Sequence, residues 1–177
     1  MRIACLMTSD FEDSEFRVPC DRFRAAGHEV VIVGLQSGRT LRGKHGREST
    51  ATDKGIDQVH PQDFDALFIP GGYSPDQLRA DRRAVDFVRA FQDRPLFAIC
   101  HGPQLLITAD MVRGRTVTAW QTVQVDLRNA GAKVQDREVV VDDNLVTSRK
   151  PDDLDAFVRE SLRVLGNRRE QPTPPSP

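Results

Sequence analysis

The chain has 177 residues, 38% hydrophobic and 29% charged, which suits one globular domain with extensions and is too short for two full domains. Its 25 Lys and Arg against 26 Asp and Glu leave a formal charge of −1, so no general attraction to nucleic acid or to a membrane surface follows. No apolar run approaches the roughly 18 residues of a membrane-crossing helix; the expectation is a cytoplasmic protein.

Residues 3–7 read as a buried strand, and Asp10 closes that run. The acidic stretch Asp10-Phe11-Glu12-Asp13-Ser14-Glu15 then opens a helix whose apolar positions are Phe16, Cys20 and Phe23, with Gly27 placed to stop it. A second strand covers residues 30–33. Residues 36–57 are polar and glycine-rich, and read as a hairpin or loop. The strand at 66–69 runs into Pro70-Gly71-Gly72, and Pro75 marks a helix start beyond it. Ala84, Val88 and Phe91 keep helical spacing, a strand follows at 96–99, and residues 104–109 are helical again. Strands at 139–141 and 145–146 are joined by the turn Asp142-Asp143-Asn144. After Pro151, the positions Leu154, Phe157, Val158, Leu162 and Leu165 trace a last helix that Gly166 should end. Short, almost wholly apolar strands alternating with helices predict an α/β fold with a mainly parallel sheet. The domain is expected over residues 1–166. Residues 167–177, Pro-rich and without an aliphatic side chain, are expected to form a flexible tail.

The three cysteines, Cys5, Cys20 and Cys100, have neither disulfide-framework nor zinc-ligand spacing, so no metal and no cofactor are expected. Cys5 and Cys20 read as core residues. Cys100 ends the 96–99 strand between the small residues Ala98 and Gly102 and just ahead of a helix, the pattern of a nucleophile elbow with sulfur in place of oxygen. A helix start there favours thiolate over thiol. The alternative is a cysteine that fills the core. His101 reads as a general base or as a polar residue satisfied in a turn. The Gly71-Gly72 pair ends a parallel strand on the same edge, so a glycine N–H and the His101 N–H form an oxyanion hole there, unless the pair is an ordinary tight turn. The first-loop acids either favour the helix dipole or supply a buried, protonated carboxyl that steadies the thiolate. His28, His45 and His60 read as structural or solvated, and Trp120 as packing or a pocket wall.

Ala98-Ile99-Cys100-His101-Gly102-Pro103, with Phe11-Glu12-Asp13 and Pro70-Gly71-Gly72, resembles the PfpI family of the ThiJ/PfpI superfamily. Gly43-Lys44-His45-Gly46, Phe64-Asp65-Ala66-Leu67, Asn129-Ala130-Gly131 and Glu138-Val139-Val140-Val141-Asp142 extend the likeness from about Arg2 to Gly166. It is most similar to the bacterial stress-protein branch, which goes by the names of intracellular protease and protein deglycase. The resemblance implies a flavodoxin-like three-layer sandwich, Cys100 as nucleophile, Glu12 as its acid partner, and His101 and Gly72 at the oxyanion hole. In the hexameric protease branch a neighbouring subunit's glutamate supports the histidine. Asp76 matches it here, one methylene shorter, and Trp120 stands where that branch has tyrosine.

The expected function is cysteine-dependent action on methylglyoxal or glyoxal, free or as adducts of amino and thiol groups. An intracellular cysteine peptidase and a redox-sensing or chaperone-like stress protein are the alternatives. Expected partners are a small carbonyl substrate or glycated protein and further copies of the chain, as a homodimer, a hexamer or another oligomer. No membrane and no specific nucleic acid are expected.

Overall fold

A computed structural model describes residues 1–170. In chain order its elements are β1 (Arg2–Leu6), α1 (Asp13–Ala25), β2 (Glu29–Gly34), β3 (Thr40–Arg42), β4 (Ser49–Ala51), β5 (Lys54–Gly55), β6 (Ala66–Ile69), α2 (Ser74–Leu78), α3 (Arg82–Arg89), β7 (Leu96–Ile99), α4 (Pro103–Thr108), β8 (Thr116–Val117), α5 (Val123–Asn129), β9 (Lys133–Val134), β10 (Val139–Asp142), β11 (Leu145–Ser148) and α6 (Leu154–Glu170).

Seven strands form one sheet in the order β10-β11-β7-β6-β1-β2-β5, parallel except for the β10–β11 hairpin. Counting only the parallel strands that alternate with crossovers, this is the flavodoxin-like order, whose ligand crevice lies at the carboxyl ends of the strands where the winding reverses. The reversal falls between β1 and β6. Register brings the useful ends together there: Cys5 pairs with Phe68, and Ile69 with Ala98. The loops leaving β1, β6 and β7 therefore converge.

Strand alternation sorts the core into two layers. Phe68 and Phe97 face α1 and α6, where Phe23 lies 5.8 Å and 5.9 Å from them, ring to ring, and Phe157 6.0 Å from Phe68. Leu67, Ile69 and Ala98 face the other layer, with Val88, Phe91, Leu105 and Leu106. All these side chains are buried.

Helix α1 ends as its sequence suggests, with Gly27 at φ 81 and the His28 N–H returned to the Phe23 carbonyl at 3.0 Å. The polar stretch 36–57 holds the antiparallel pair β3–β4 and the edge strand β5. Helix α6 departs from expectation: it continues through Gly166 to Glu170. Gly166 takes no left-handed conformation and a Cβ there would meet nothing within 4 Å, so the helix simply runs on. Residues 167–170 of the expected tail are therefore helical, and residues 171–177 lie outside the described residues. Among the described residues, no helix is long and apolar enough to cross a membrane.

Candidate active site

At the end of β7 the chain turns sharply, and Cys100 takes φ 61, a left-handed conformation that costs a residue with a β-carbon about 1–3 kcal/mol. Its surroundings hold it there. The Cys100 N–H donates to the Ser148 carbonyl at 3.0 Å, the Trp120 N–H to the Cys100 carbonyl at 3.0 Å, and the Gly102 N–H to the Ile99 carbonyl at 2.8 Å. The small neighbours are required. A Cβ on Gly102 would lie 2.9 Å from the Ile69 and Ile99 carbonyl oxygens, and one on Gly71 would lie 2.7 Å from the Cys100 Cβ and overlap Glu15 Oε2. The turn also achieves what sequence neighbours rarely do: it sets His101 Nδ1 3.3 Å from Cys100 Sγ.

Three acids leave β1 toward this thiol, with three different fates. The Glu12 carboxylate meets Lys44 Nζ at 2.8 Å and His45 Nε2 at 3.2 Å, and accepts from the Ser14 hydroxyl at 3.1 Å. Burial works against its ionisation, but Lys44, Ser14 and His45 outweigh burial and hold its pKa below the usual value. Asp13 accepts the N–H groups of His45, Arg47 and Glu48 at 3.0, 2.9 and 2.8 Å. Those bonds overcome its burial in the same way, and they pin the β3–β4 loop over Glu12. Glu15 is fully buried, and neither of its carboxyl oxygens has a hydrogen-bond partner of ordinary geometry. Burial first, and the charge of Glu12 second, push its pKa up to about 8. Glu15 is thus a neutral acid at pH 7. The Cys100 thiol and the Gly71 N–H act on it from beyond ordinary hydrogen-bond geometry.

The acid assigned to the thiol from sequence, Glu12, is therefore bound to the β3–β4 loop, and the carboxyl that meets Cys100 is Glu15. The reason is helical phase. Glu12 precedes α1 with extended backbone (φ −72, ψ 119), whereas Glu15 lies on the buried stripe with Pro19 and Phe23. That stripe was the signal in the sequence, an acid at i, i+4, i+8 on an otherwise apolar face. Lys44 carried no such signal.

The expected thiolate bias from the helix start is also corrected. Burial raises the Cys100 pKa above its ordinary value, as does any charge on Glu15, while the N–H groups of His101 and Gly72 pull it down. Both N–H groups thus face the sulfur. Burial and the charge of Lys44 lower the His101 pKa, keeping the imidazole neutral, and Asp76 opposes them weakly. Asp76 makes no hydrogen bond to His101 among the described residues; its carboxylate pairs with Arg79 Nη1 at 3.9 Å, and it raises the Tyr73 pKa. The Trp120 ring lies 6.4 Å from the His101 ring at 27°. Cys5 and Cys20 are fully buried, Cys5 with its Sγ 3.6 Å from Met7 Sδ. Among the described residues no His, Cys, Asp and Glu are grouped as metal ligands.

The site thus gathers a thiol, a neutral imidazole able to accept its proton, a neutral carboxyl able to donate one, and two N–H groups aimed at the sulfur. The sequence model of the DJ-1/PfpI family matches residues 1–164. The chain is 58% identical over 168 residues to protein/nucleic acid deglycase 2 of Escherichia coli strain K12, covering 93% of this chain and 98% of that one. It is 53% identical over 167 residues to general stress protein 18 of Bacillus subtilis, covering 93% and 97%. The fold matches, at a TM-score of 0.90 and 41% identity, a two-domain protein from Anabaena variabilis with DJ-1/ThiJ/PfpI-like and ferritin-like domains; the match covers 93% of this chain and 48% of that one.

Proposed function

The chain belongs to the DJ-1/PfpI family, and on that premise we propose that it is a cysteine-dependent deglycase, glyoxalase-like in chemistry, acting on methylglyoxal or glyoxal and their adducts with amino and thiol groups. The observation that carries this reading is the fully buried Glu15 carboxyl packed with Cys100 against Gly71, with His101 Nδ1 3.3 Å from the thiol; burial favours the protonated form of that carboxyl.

On a methylglyoxal–amine adduct the steps follow from those groups. His101 Nδ1 takes the thiol proton, the sulfur bonds to the adduct's carbinol carbon, and the C–N bond breaks as Glu15 gives its proton to the departing amine. The resulting hemithioacetal carries its carbonyl on the next carbon. Glu15, now a carboxylate, moves the proton from the sulfur-bearing carbon to that carbonyl carbon, while the carbonyl oxygen takes up the proton that the hydroxyl on the sulfur-bearing carbon releases as it becomes the thioester carbonyl. One carbon is oxidised and its neighbour reduced, so no outside oxidant is needed. Water then cleaves the thioester, releasing lactate and restoring the thiol. The sum is adduct plus water giving amine plus lactate. The N–H groups of Gly72 and His101 hold the oxyanions formed on the way.

The peptidase alternative has less support, because Asp76, its candidate for steadying His101, makes no hydrogen bond to that ring among the described residues and acts on it only through its charge. Self-association remains part of the proposal: Tyr73, 59% exposed, and Asp76 stand beside the catalytic edge, where a second copy would complete it. The test of function is lactate and amine release from a methylglyoxal–amine adduct by wild type and Cys100→Ala. Loss of turnover in the variant is expected, and equal turnover refutes the reading.

A further inference from the structure

Outside the carboxyl ends of β1 and β2, where an open α/β sheet offers its ligand crevices, lies a cleft of about 300 Å³ whose walls include Ser9, Leu35, Arg39, Leu41, Thr52 and Gln77. None of the catalytic groups lines it. We propose that this cleft binds a small hydroxylated carboxylate, a sugar acid of the size of gluconate, with Arg39 gripping the carboxylate. Neither the site nor its ligand depends on the deglycase reading.

Charge points to an anion. Arg39 is the one charged side chain on the lining, and among the described residues its guanidinium has no ion pair and no hydrogen bond. The turn that carries it is held rigid. Thr52 Oγ1 donates to the Gln36 carbonyl at 2.7 Å and accepts from the Arg39 N–H at 2.9 Å, while the Thr52 carbonyl accepts the Gly38 N–H at 3.1 Å and the Thr52 N–H donates to the Arg39 carbonyl at 2.9 Å. Gly34 makes room for this clamp, since a Cβ there would overlap Thr52 Cγ2. A fixed cation facing a cleft without a carboxylate attracts negative charge.

The donors select which anion. Phosphate is usually cradled by several backbone N–H groups, and here those groups are spent. The Thr8 N–H donates to Ser74 Oγ at 2.8 Å, the Asp10 N–H to the Arg42 carbonyl at 2.7 Å and the Arg42 N–H to Ser9 Oγ at 3.2 Å, as those of Gly38 and Arg39 do to Thr52. What remains is the planar fork of one arginine, which matches a carboxylate.

The rest of the lining suits a hydroxylated chain. Ser9 Oγ accepts from Arg42 and keeps its own proton to donate. The Gln77 carboxamide accepts from Thr8 Oγ1 at 3.0 Å and gives one N–H to Asp10 Oδ2 at 3.0 Å, which leaves its second N–H for a ligand. The Thr40 hydroxyl and the Gln36 amide add donors and acceptors, and Leu35 and Leu41 add apolar surface for the carbon backbone. The cleft lies at the small end of ligand pockets, which fits a single small acid and not a polymer.

Isothermal titration calorimetry with gluconate, hexanoate, sorbitol and inorganic phosphate separates these contributions. Gluconate should bind saturably in the millimolar range or tighter. Hexanoate has the carboxylate without the hydroxyls, sorbitol the hydroxyls without the charge, and phosphate the charge without the planar group; each should bind about tenfold or more weakly. Arg39→Gln, at an exposed side chain without a partner, should keep the wild-type melting temperature and weaken gluconate by about tenfold or more. Cys100→Ala should bind gluconate as the wild type does. No saturable binding of gluconate, equal binding of any of the other three compounds, unchanged affinity in Arg39→Gln, or weakened affinity in Cys100→Ala overturns the proposal.

Discussion

Glu12 and Glu15 leave the same loop three residues apart, yet one is an ionised carboxylate at the rim and the other a neutral acid on the floor of the site. Glu12 meets the cation of Lys44, the His45 ring and a hydroxyl; Glu15 meets a thiol, and neither of its oxygens has a hydrogen bond of ordinary geometry. Each environment selects a protonation state, and the ionised neighbour strengthens the choice, because the charge on Glu12 makes a second charge at Glu15 more costly. Two like side chains thereby acquire separate roles: Glu12 anchors the β3–β4 loop, and Glu15 holds the proton that the proposed chemistry needs.

The sharpest way to break this comparison is to neutralise each acid in turn. Glu15→Gln should lower deglycase turnover by roughly 10²–10⁴-fold, the usual worth of a general acid–base group. Glu12→Gln should cost only several-fold, through loosening of the Lys44 loop. Steady-state lactate release checks both, and a larger loss in Glu12→Gln would reverse the assignment.

Stability against pH separates the two acids next. The folded-state pKa of Glu15, about 8, lies above its ordinary value of 4.5. The folded protein therefore binds more protons than the unfolded chain between those values, and stability falls as pH rises through that window. At about 1.4 kcal/mol per unit, the upper limit is close to 5 kcal/mol. Glu12 has the opposite sign: its lowered pKa contributes stability above pH 4.5 that is lost as pH falls. Denaturant melts of wild type and Glu15→Gln from pH 5 to pH 9 should show the falling slope in wild type alone.

Smaller effects sharpen the picture. Gly71→Ala forces a methyl against Glu15 Oε2 and the Cys100 Cβ, so both the melting temperature and turnover should drop, by the about 1–3 kcal/mol of an overpacked site. Lys44→Met removes the cation that lowers the pKa of both acids, so the Glu15 titration should move further up while the fold is kept. Limiting iodoacetamide should label Cys100 ahead of Cys5 and Cys20, which are fully buried.

The parts of the fold that the sequence displays are those where a single periodicity dominates. The strands β6 and β7 carry unbroken apolar runs between Gly and Pro signals, and their limits coincide with the expected ones. Cys100, His101 and Gly72 were legible because the parallel sheet places all strand ends after β1, β6 and β7 on one edge. What stayed hidden depends on phase and on long-range closure. The choice between Glu12 and Glu15 turns on where α1 begins, and a shift of one residue there rotates the face by 100°, set by 3.6 residues per turn. Lys44 reaches Glu12 across 32 positions of chain, through a hairpin whose composition reads only as polar. The run-on of α6 past Gly166 reflects open space around that glycine, which no local signal encodes.

The central claim, a protonated Glu15 beside the Cys100 thiol, is open to direct measurement by infrared difference spectroscopy of wild type against Glu15→Gln. At pH 6 the wild type should show a protonated carboxyl C=O band that the variant lacks, and the band should titrate away with a midpoint near 8. A carboxylate signature for Glu15 already at pH 6, or a protonated band that persists in Glu15→Gln and vanishes in Glu12→Gln, would contradict it.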